Sequence, residues 1–422
     1  MKGAKLLLAF GVVFALLLAS CRDSTSPGPG NQANDRISIV NDAGALLGRV
    51  TYYADSTVPL ESTGIGYSPS AVPAPSFSRQ VAASQAATTL KLKLEAEVAP
   101  PTAAGQTLQA TSVTMLGSLA VVSYNMRGAA YLGAIDVFEI SKEHKPTLKS
   151  QAIFLNTDVN AVSTDVVNVF AAEATSDASF TAPGVFELVT LSGSNLVLPG
   201  NQRFALSSFA GTSSAFAGNR VYATSGDAGS LFAYDVPSYT LTAFSLHDAR
   251  WVAVGNGKVV VVQGTPGQIA VYNESNLSAV GTFPFTGADV AESKSTVEVV
   301  GGKAFIAAGT GGVQVLSAST GSVVGSIARP DAAALGLDPS VVVTNAASVD
   351  QDLVFISNGE AGVYVAQGSQ AFSSTGSETT QTLTMLGRLG FGNLQSVNHV
   401  AYRDGYLFIA AGLGGLKIVK VN

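Results

Sequence analysis

Residues 303–319 read KAFIAAGTGGVQVLSAS, and residues 406–422 read YLFIAAGLGGLKIVKVN. Each stretch has an apolar run, a turn of small residues and glycines, and a second run in which large apolar residues alternate with smaller or polar ones. Alternation with a period of two is the pattern of a β-strand, so each stretch predicts two strands joined by a glycine turn. Two such similar hairpins in one chain indicate an internal repeat.

The first half of this pattern occurs seven times, at spacings near the 40 to 50 residues that are typical of propeller blades. A short run before each hairpin predicts an inner strand, and a run after it predicts an outer strand. The sequence therefore predicts an all-β, seven-bladed β-propeller. The seven copies are LAVVSYN from Leu119, VNVFAAE from Val167, RVYATSG from Arg220, KVVVVQG from Lys258, KAFIAAG from Lys303, LVFISNG from Leu353 and YLFIAAG from Tyr406.

The last repeat has no outer strand of its own, because the sequence stops at Asn422. Residues 90–98, LKLKLEAEV, alternate like a strand and are predicted to complete the seventh blade, which removes the exposed sheet edges of an open ring. Eight blades remain an alternative if residues 37–53 pair into the sheets. The predicted blades span residues 109–154, 155–206, 207–248, 249–292, 293–343, 344–396 and 397–422 plus 90–98.

The N-terminus reads as an export signal, residues 1–20. Lys2 and Lys5 precede an apolar run from Leu6 to Ala19, which is too short for a membrane span. The segment Leu18-Ala19-Ser20-Cys21 resembles the lipobox of bacterial lipoproteins, which implies that Cys21 receives lipid, palmitate included, and becomes the first mature residue. An ordinary signal peptide with an incidental cysteine is the alternative. Cys21 is the only cysteine, so no disulfide explains it.

Three further segments separate Cys21 from the propeller. Residues 21–36 are rich in Ser, Pro and Gly and predict a flexible tether. Residues 37–61 predict a short β segment of unknown role, with two strands around an Asn41-Asp42 turn. Residues 62–89 are rich in Ser, Ala and Pro and predict a second linker, and residues 90–422 form the propeller.

The repeats resemble those of the LVIVD-repeat proteins, exported bacterial β-propellers. Gly133 to Pro146, GAIDVFEISKEHKP, carries the resemblance most closely, with an Asp in the strand followed by a Ser and a later Pro. Residues 313–327 also look like the repeats of surface-layer and YVTN-type propellers. The resemblance implies a location in the cell envelope and a shape. Arg22, where an inner-membrane retention signal would have Asp, favours the outer membrane.

Composition limits the function. A net charge of −6 and only 12% charged residues exclude a nucleic-acid binder, since that role needs clustered basic residues. The three histidines, His144, His247 and His399, lie in separate blades and predict no metal site. Asp350 and Asp352 alone do not continue into a calcium loop. The sequence predicts no cofactor and no nucleophile with a partner base.

These observations favour a non-catalytic binding or assembly module for an envelope protein or glycan, held on the membrane through lipid on Cys21. A propeller-type hydrolase or lyase, acting on a small ester or polysaccharide, is the alternative. His399 is either a ligand contact or a structural channel residue, and Trp251 either binds a partner or packs between blades. The residues that the turns and blade connections would bring to one face are Tyr124, Arg127, Tyr131, Arg250, Trp251, Arg329, Asp331, Asn398 and His399.

Overall fold

The computed structural model describes residues 30–58, 90–141, 145–291, 293–391 and 395–422. These residues form seven antiparallel sheets and one small two-stranded hairpin. The inner strands of successive sheets contact one another in a closed ring, so the chain is a seven-bladed β-propeller, as predicted. The predicted signal, Cys21, the 62–89 linker and His144 lie outside the described residues.

The segment that precedes the first blade contains six short strands and one helical turn. They are β1 Gln32–Ala33, β2 Ile37–Val40, α1 Ala43–Leu47, β3 Val50–Val58, β4 Leu92–Val98, β5 Thr102–Ala103 and β6 Gln106–Thr107.

Each blade has four strands of its own, except the last, which has three. Blade 1 contains β7 Gln109–Leu116, β8 Leu119–Asn125, β9 Gly133–Glu139 and β10 Thr147–Phe154; blade 2, β11 Thr157–Thr164, β12 Asn168–Thr175, β13 Gly184–Ser192 and β14 Asn195–Ala205; blade 3, β15 Ser213–Ala217, β16 Arg220–Thr224, β17 Ser230–Asp235 and β18 Thr240–Ser245; blade 4, β19 Ala249–Gly255, β20 Lys258–Gln263, β21 Gln268–Asn273 and β22 Ala279–Pro284. Blade 5 contains β23 Val297–Val300, β24 Lys303–Ala307, β25 Val313–Ser317 and β26 Val323–Ile327; blade 6, β27 Ala346–Asp350, β28 Leu353–Ser357, β29 Val363–Gly368 and β30 Leu383–Leu389; blade 7, β31 His399–Arg403, β32 Tyr406–Ala410 and β33 Leu416–Val421. Single 3-10 turns cover Ala333–Leu335, Pro339–Val341 and Phe372–Ser374.

The glycines of the two quoted hairpins sit where a side chain cannot. Gly312 and Gly415 both have φ +71°, a conformation that glycine adopts without steric cost. A Cβ atom on Gly312 would lie 2.1 Å from the Ile327 carbonyl oxygen, and one on Gly415 would lie 2.2 Å from the Val98 oxygen. In both blades the turn packs against the outer strand, which explains why both hairpins have glycine at this position.

The two faces of the ring differ in their connections. Isolated bridges join the turn after the second strand of one blade to the start of the next inner strand, as between Gly226 and Ala249 or Gly359 and Val397. We call this face upper. Inner strands run from the upper face to the lower face, where each turns into the second strand.

Strand β4 pairs with β33 and supplies the outer strand of blade 7, which confirms the predicted closure. The preceding segment, residues 30–58, which we call the strap, adds strands to two blades and forms no eighth blade. β2 pairs with β10 at the edge of blade 1, and β3 pairs with β4 at the edge of blade 7. The predicted Asn41-Asp42 hairpin turn is wrong: the Asp42 carboxylate accepts the Gly44 and Ala45 N–H groups and starts α1 instead.

Two buried ion pairs fix the strap to the ring. Arg49 donates to both carboxylate oxygens of Asp136 at 2.9 and 2.8 Å, and Arg36 donates to both oxygens of Glu187 at 2.8 and 2.7 Å. The carboxylates of Asp136 and Glu187 are fully buried. Each acid lies three residues after the glycine that starts the third strand of its blade, so the strap meets the same position in blades 1 and 2.

Candidate functional site

The nine candidate binding residues all lie at the upper ends of their blades, in the last residues of a second strand, the turn after it, the connection to the next blade or the first residues of an inner strand. The centre of this face is occupied by the indole of Trp251 from blade 4 and the imidazole of His399 from blade 7. Their ring centroids are 5.2 Å apart with an interplanar angle of 29°. Trp251 thus meets a ring from the opposite side of the central channel, and it also packs against the apolar core between blades 4 and 5.

His399 is held as a neutral acceptor. Its side chain is buried, and Nδ1 accepts the Val113 N–H at 3.4 Å, so the ring proton belongs on Nε2. Burial, reinforced by the charge of Lys294, lowers the pKa of His399 to about 3. The imidazole therefore stacks on Trp251 without charge at neutral pH.

Lys294 completes the channel mouth, although the sequence analysis did not select it. Its Nζ lies 6.0 Å from the Trp251 ring centroid, and it donates to the Asn160 carbonyl of blade 2 at 3.0 Å. Burial lowers the pKa of Lys294 to about 8. Lys294 precedes the inner strand of blade 5 in the run AESKST. It belongs to no motif, so its position across the channel could not be predicted from the sequence.

Side chains of the inner strands, His399 among them, also bridge neighbouring blades. Each accepts a backbone N–H from the inner strand of the next blade and so joins the two strands where no sheet pairing exists. The bonds run from Val162 to Ser112 (3.2 Å), Val252 to Ser213 (3.3 Å), Val349 to Glu298 (2.9 Å), Tyr402 to Ser348 (3.0 Å) and Val113 to His399 (3.4 Å).

Glu298 is the carboxylate of this series and was also missed. Burial, opposed by the Val349 and Ser348 hydrogen bonds and assisted by the charge of Asp350, raises its pKa to about 7. A glutamate in the run STVEVV looks like any outward residue of an alternating strand. Only ring closure shows that the position faces a neighbouring blade.

Four of the predicted candidates hold loops of the upper face. Arg250 pairs with both oxygens of Asp248 and donates to three carbonyls of the connection to blade 5. Arg329 donates to the Pro339 and Val342 carbonyls, the Asp331 carboxylate accepts the Ala333 N–H, and the Asn398 amide donates to the Ala110 carbonyl.

The blade 1 candidates separate into a buried and an exposed group. Tyr124 is fully buried in the blade, and burial raises its pKa well above the usual value. Arg127 is exposed and Tyr131 is half-buried on the turn after the second strand. The Asp158 carboxylate holds that turn by accepting the Met126 and Leu132 N–H groups, both at 3.1 Å. Burial of Tyr124 therefore prevents the ligand contact that the sequence suggested, whereas the side chains of Arg127 and Tyr131 reach solvent.

Other polar residues of the sequence analysis form no common site. His247 is exposed beside Asp227, and Asp350 and Asp352 lie on the lower face. Within residues 30–58, 90–141, 145–291, 293–391 and 395–422, no group of three or more His, Cys, Asp or Glu side chains could hold a metal ion. The same ranges contain no helix that is long and apolar enough to cross a membrane.

No family model matches the sequence, and no curated protein matches it. Three solved structures are similar to the chain: the computationally designed Ika8 protein (12% identity, 87% of this chain and 97% of that chain covered, TM-score 0.46), a chain of the mitotic checkpoint complex (11%, 71% and 85%, TM-score 0.50) and BamB from Moraxella catarrhalis (11%, 76% and 87%, TM-score 0.46). Similarity at these identities concerns the fold alone. Beside the seven observed sheets, the comparisons thus characterise this chain as a β-propeller and go no further.

Proposed function

We propose that this protein is an exported lipoprotein of a bacterial cell envelope whose propeller binds an envelope protein or glycan through its upper face. Lipid on Cys21 holds it on a membrane, and Arg22 favours the outer membrane. The LVIVD-like repeats support this location. The observation that carries the binding role is the cluster of Trp251, His399 and Lys294 at the centre of the face opposite the point where the tether joins.

The direction of the strap supports that orientation. β1 pairs antiparallel with β2, and β2 pairs antiparallel with β10, which runs from the lower to the upper face. β1 therefore also runs upward, and the chain arrives from the lower side. Asn41 donates to the carbonyls of both Gly30 and Leu196, which places the start of the strap beside the lower turn of blade 2.

The chemistry of the upper face suits recognition. A half-buried indole with a cation above it offers an apolar surface and a donor at one point, and Arg127 and Tyr131 extend this surface outward. Aromatic and arginine side chains are the residues that most often dominate binding energy. His399 and Glu298 are committed to backbone N–H groups of the next blade, which favours the binding role over a hydrolase or lyase.

Cross-linking in intact cells, followed by affinity recovery, tests the proposal. Wild-type protein and the Thr242→Ala variant, altered on the exposed outer strand of blade 3, should recover the same partner in comparable amount. Trp251→Ala and the rim variant Arg127→Glu should recover at least about tenfold less, the loss expected for a contact worth over 1.4 kcal/mol. Equal recovery by all four proteins would place the binding surface elsewhere.

A further inference from the structure

The turn between the inner and second strands of blade 2 presents two valines to solvent. Val166 is 43% exposed and Val167 is 58% exposed, in the lower face. Val166 has φ +67°. Corresponding turns of other blades place residues that tolerate this conformation better at the positive-φ position: Gly117, Gly218, Asn256, Gly301, Gln351 and Asp404.

A β-branched residue at positive φ is a steric outlier, because its Cβ substituents meet the backbone. Burial offsets the strain only in part, since 43% of Val166 and 58% of Val167 are open to water. Glycine at this position would relieve it, as in the turns of blades 1 and 3. Strain that persists without a folding benefit points to a contact outside the fold.

The valine tip, residues 166–167, adjoins the place where the tether joins the propeller. The Leu191 N–H donates to the Val167 carbonyl at 2.7 Å, and Leu191 pairs with Leu196 in the outer hairpin of blade 2. The Leu196 carbonyl in turn shares the Asn41 amide with Gly30. With neighbouring strands about 4.8 Å apart, these steps span roughly 15 to 20 Å.

The length of the tether limits how far the tip can be from the membrane. The nine residue steps from Cys21 to Gly30 extend at most about 30 Å, at 3.3 to 3.6 Å per residue. A lipid on Cys21 therefore keeps the lower turns of blade 2 near the bilayer. The tip itself is uncharged, and the neighbouring Asp165 carboxylate accepts the Val167 and Asn168 N–H groups. Residues 165–167 include no basic side chain that would attract anionic lipid.

We propose that the valine tip inserts into the boundary of headgroups and acyl chains and fixes the propeller with its upper face outward. This inference rests on the proposed lipid anchor and adds a second, apolar contact to it. The lipid on Cys21 holds the chain on the membrane but leaves the orientation of the propeller free, and a second, apolar contact would fix that orientation. The contact is apolar, and phosphatidylcholine vesicles are therefore the appropriate probe.

Thiol accessibility tests the insertion. Because Cys21 is the only cysteine and its thiol carries the diacylglycerol in the proposed lipoprotein, Val167→Cys introduces a single reactive thiol. Arg127→Cys provides the matched thiol on the upper face. When the lipoproteins are bound to preformed phosphatidylcholine vesicles, a membrane-impermeant maleimide should label position 167 at least about tenfold more slowly than position 127. Equal labelling on vesicles would overturn the insertion while leaving the anchor intact.

Two references complete the experiment. Both thiol variants in a Cys21→Ser background, without vesicles, should react at similar rates, which shows that the fold itself does not shield position 167. The mass of the mature N-terminal peptide reports whether Cys21 carries lipid. Absence of lipid there would refute the anchor, and the insertion with it, independently of the labelling rates. Val166→Gly with Val167→Ser should also lower vesicle binding of the Cys21→Ser protein about tenfold.

Discussion

Replacement of Arg49 by methionine should destabilise the propeller by about 3 to 5 kcal/mol, the cost of leaving a buried charge without its partner. The Asp136 carboxylate is fully buried, and Arg49 contributes both of its charge-assisted contacts. Gln151 donates to the same carboxylate at 3.1 Å, but it carries no charge. Arg49 also donates to the Ala99 carbonyl, so the variant loses contacts to two elements that meet at the closure of the ring.

Urea unfolding of the mature chain, followed by far-UV circular dichroism, measures the change. Lys149→Met is the matched control, because Lys149 pairs with Glu139 in the same blade at 3.2 Å with both side chains about a third to a half exposed. That surface pair should contribute less than about 1 kcal/mol. The double variant Arg49→Met with Asp136→Leu should recover most of the loss, since it removes the buried charge as well. Equal losses for Arg49→Met and Lys149→Met would refute the reasoning.

Two predictions concern titration in the channel. Ionisation of Glu298 opposes folding because its pKa is raised to about 7 in the native state from 4.5, so stability should fall as pH rises from 5 to 7. Glu298→Gln should reduce that dependence in urea unfolding, and Asp158, whose pKa burial raises to about 6, accounts for part of what remains. A pH dependence unchanged by the substitution would contradict the buried carboxylate. The fluorescence of Trp251, the only tryptophan, should stay constant between pH 5 and 7 because His399 remains neutral above about pH 3; a transition near 6.5 that His399→Leu abolishes would show an ordinary imidazole instead.

The number and spacing of the repeats were sufficient to predict the blades, because the strand period and the glycine turns are local properties of each hairpin. Closure by residues 90–98 could also be predicted from the sequence. These residues form an alternating strand that belongs to no repeat, and the last repeat lacks an outer strand. The strap was not. Its strands carry the ordinary pattern of a hairpin, and only the positions of blades 1 and 7 in space separate β2 from β3.

The site shows the same division. Position at the upper ends of the blades follows from strand direction, so the nine candidate residues lie on one face of the ring, as predicted. The contacts that their side chains make could not be predicted from the sequence. Trp251 meets His399 only because blades 4 and 7 face each other across a ring. Lys294 and Glu298 had no motif, since their environment comes from residues far away in sequence.

The acids of blades 1 and 2 show why the strap belongs to the propeller. Asp136 and Glu187 occupy interior positions of third strands, where apolar residues would pack without any partner. Both carboxylates accept two hydrogen bonds from an arginine of residues 30–58, Asp136 from Arg49 and Glu187 from Arg36, and Glu187 also pairs with Arg203 of its own blade at 3.4 Å. Without residues 30–58, Asp136 would lose the arginine that pairs with it, and Glu187 would keep only the longer pair with Arg203. Because Arg49 bonds to Asp136 of blade 1 and to the Ala99 carbonyl beside the outer strand of blade 7, the strap stabilises the ring where these two blades meet.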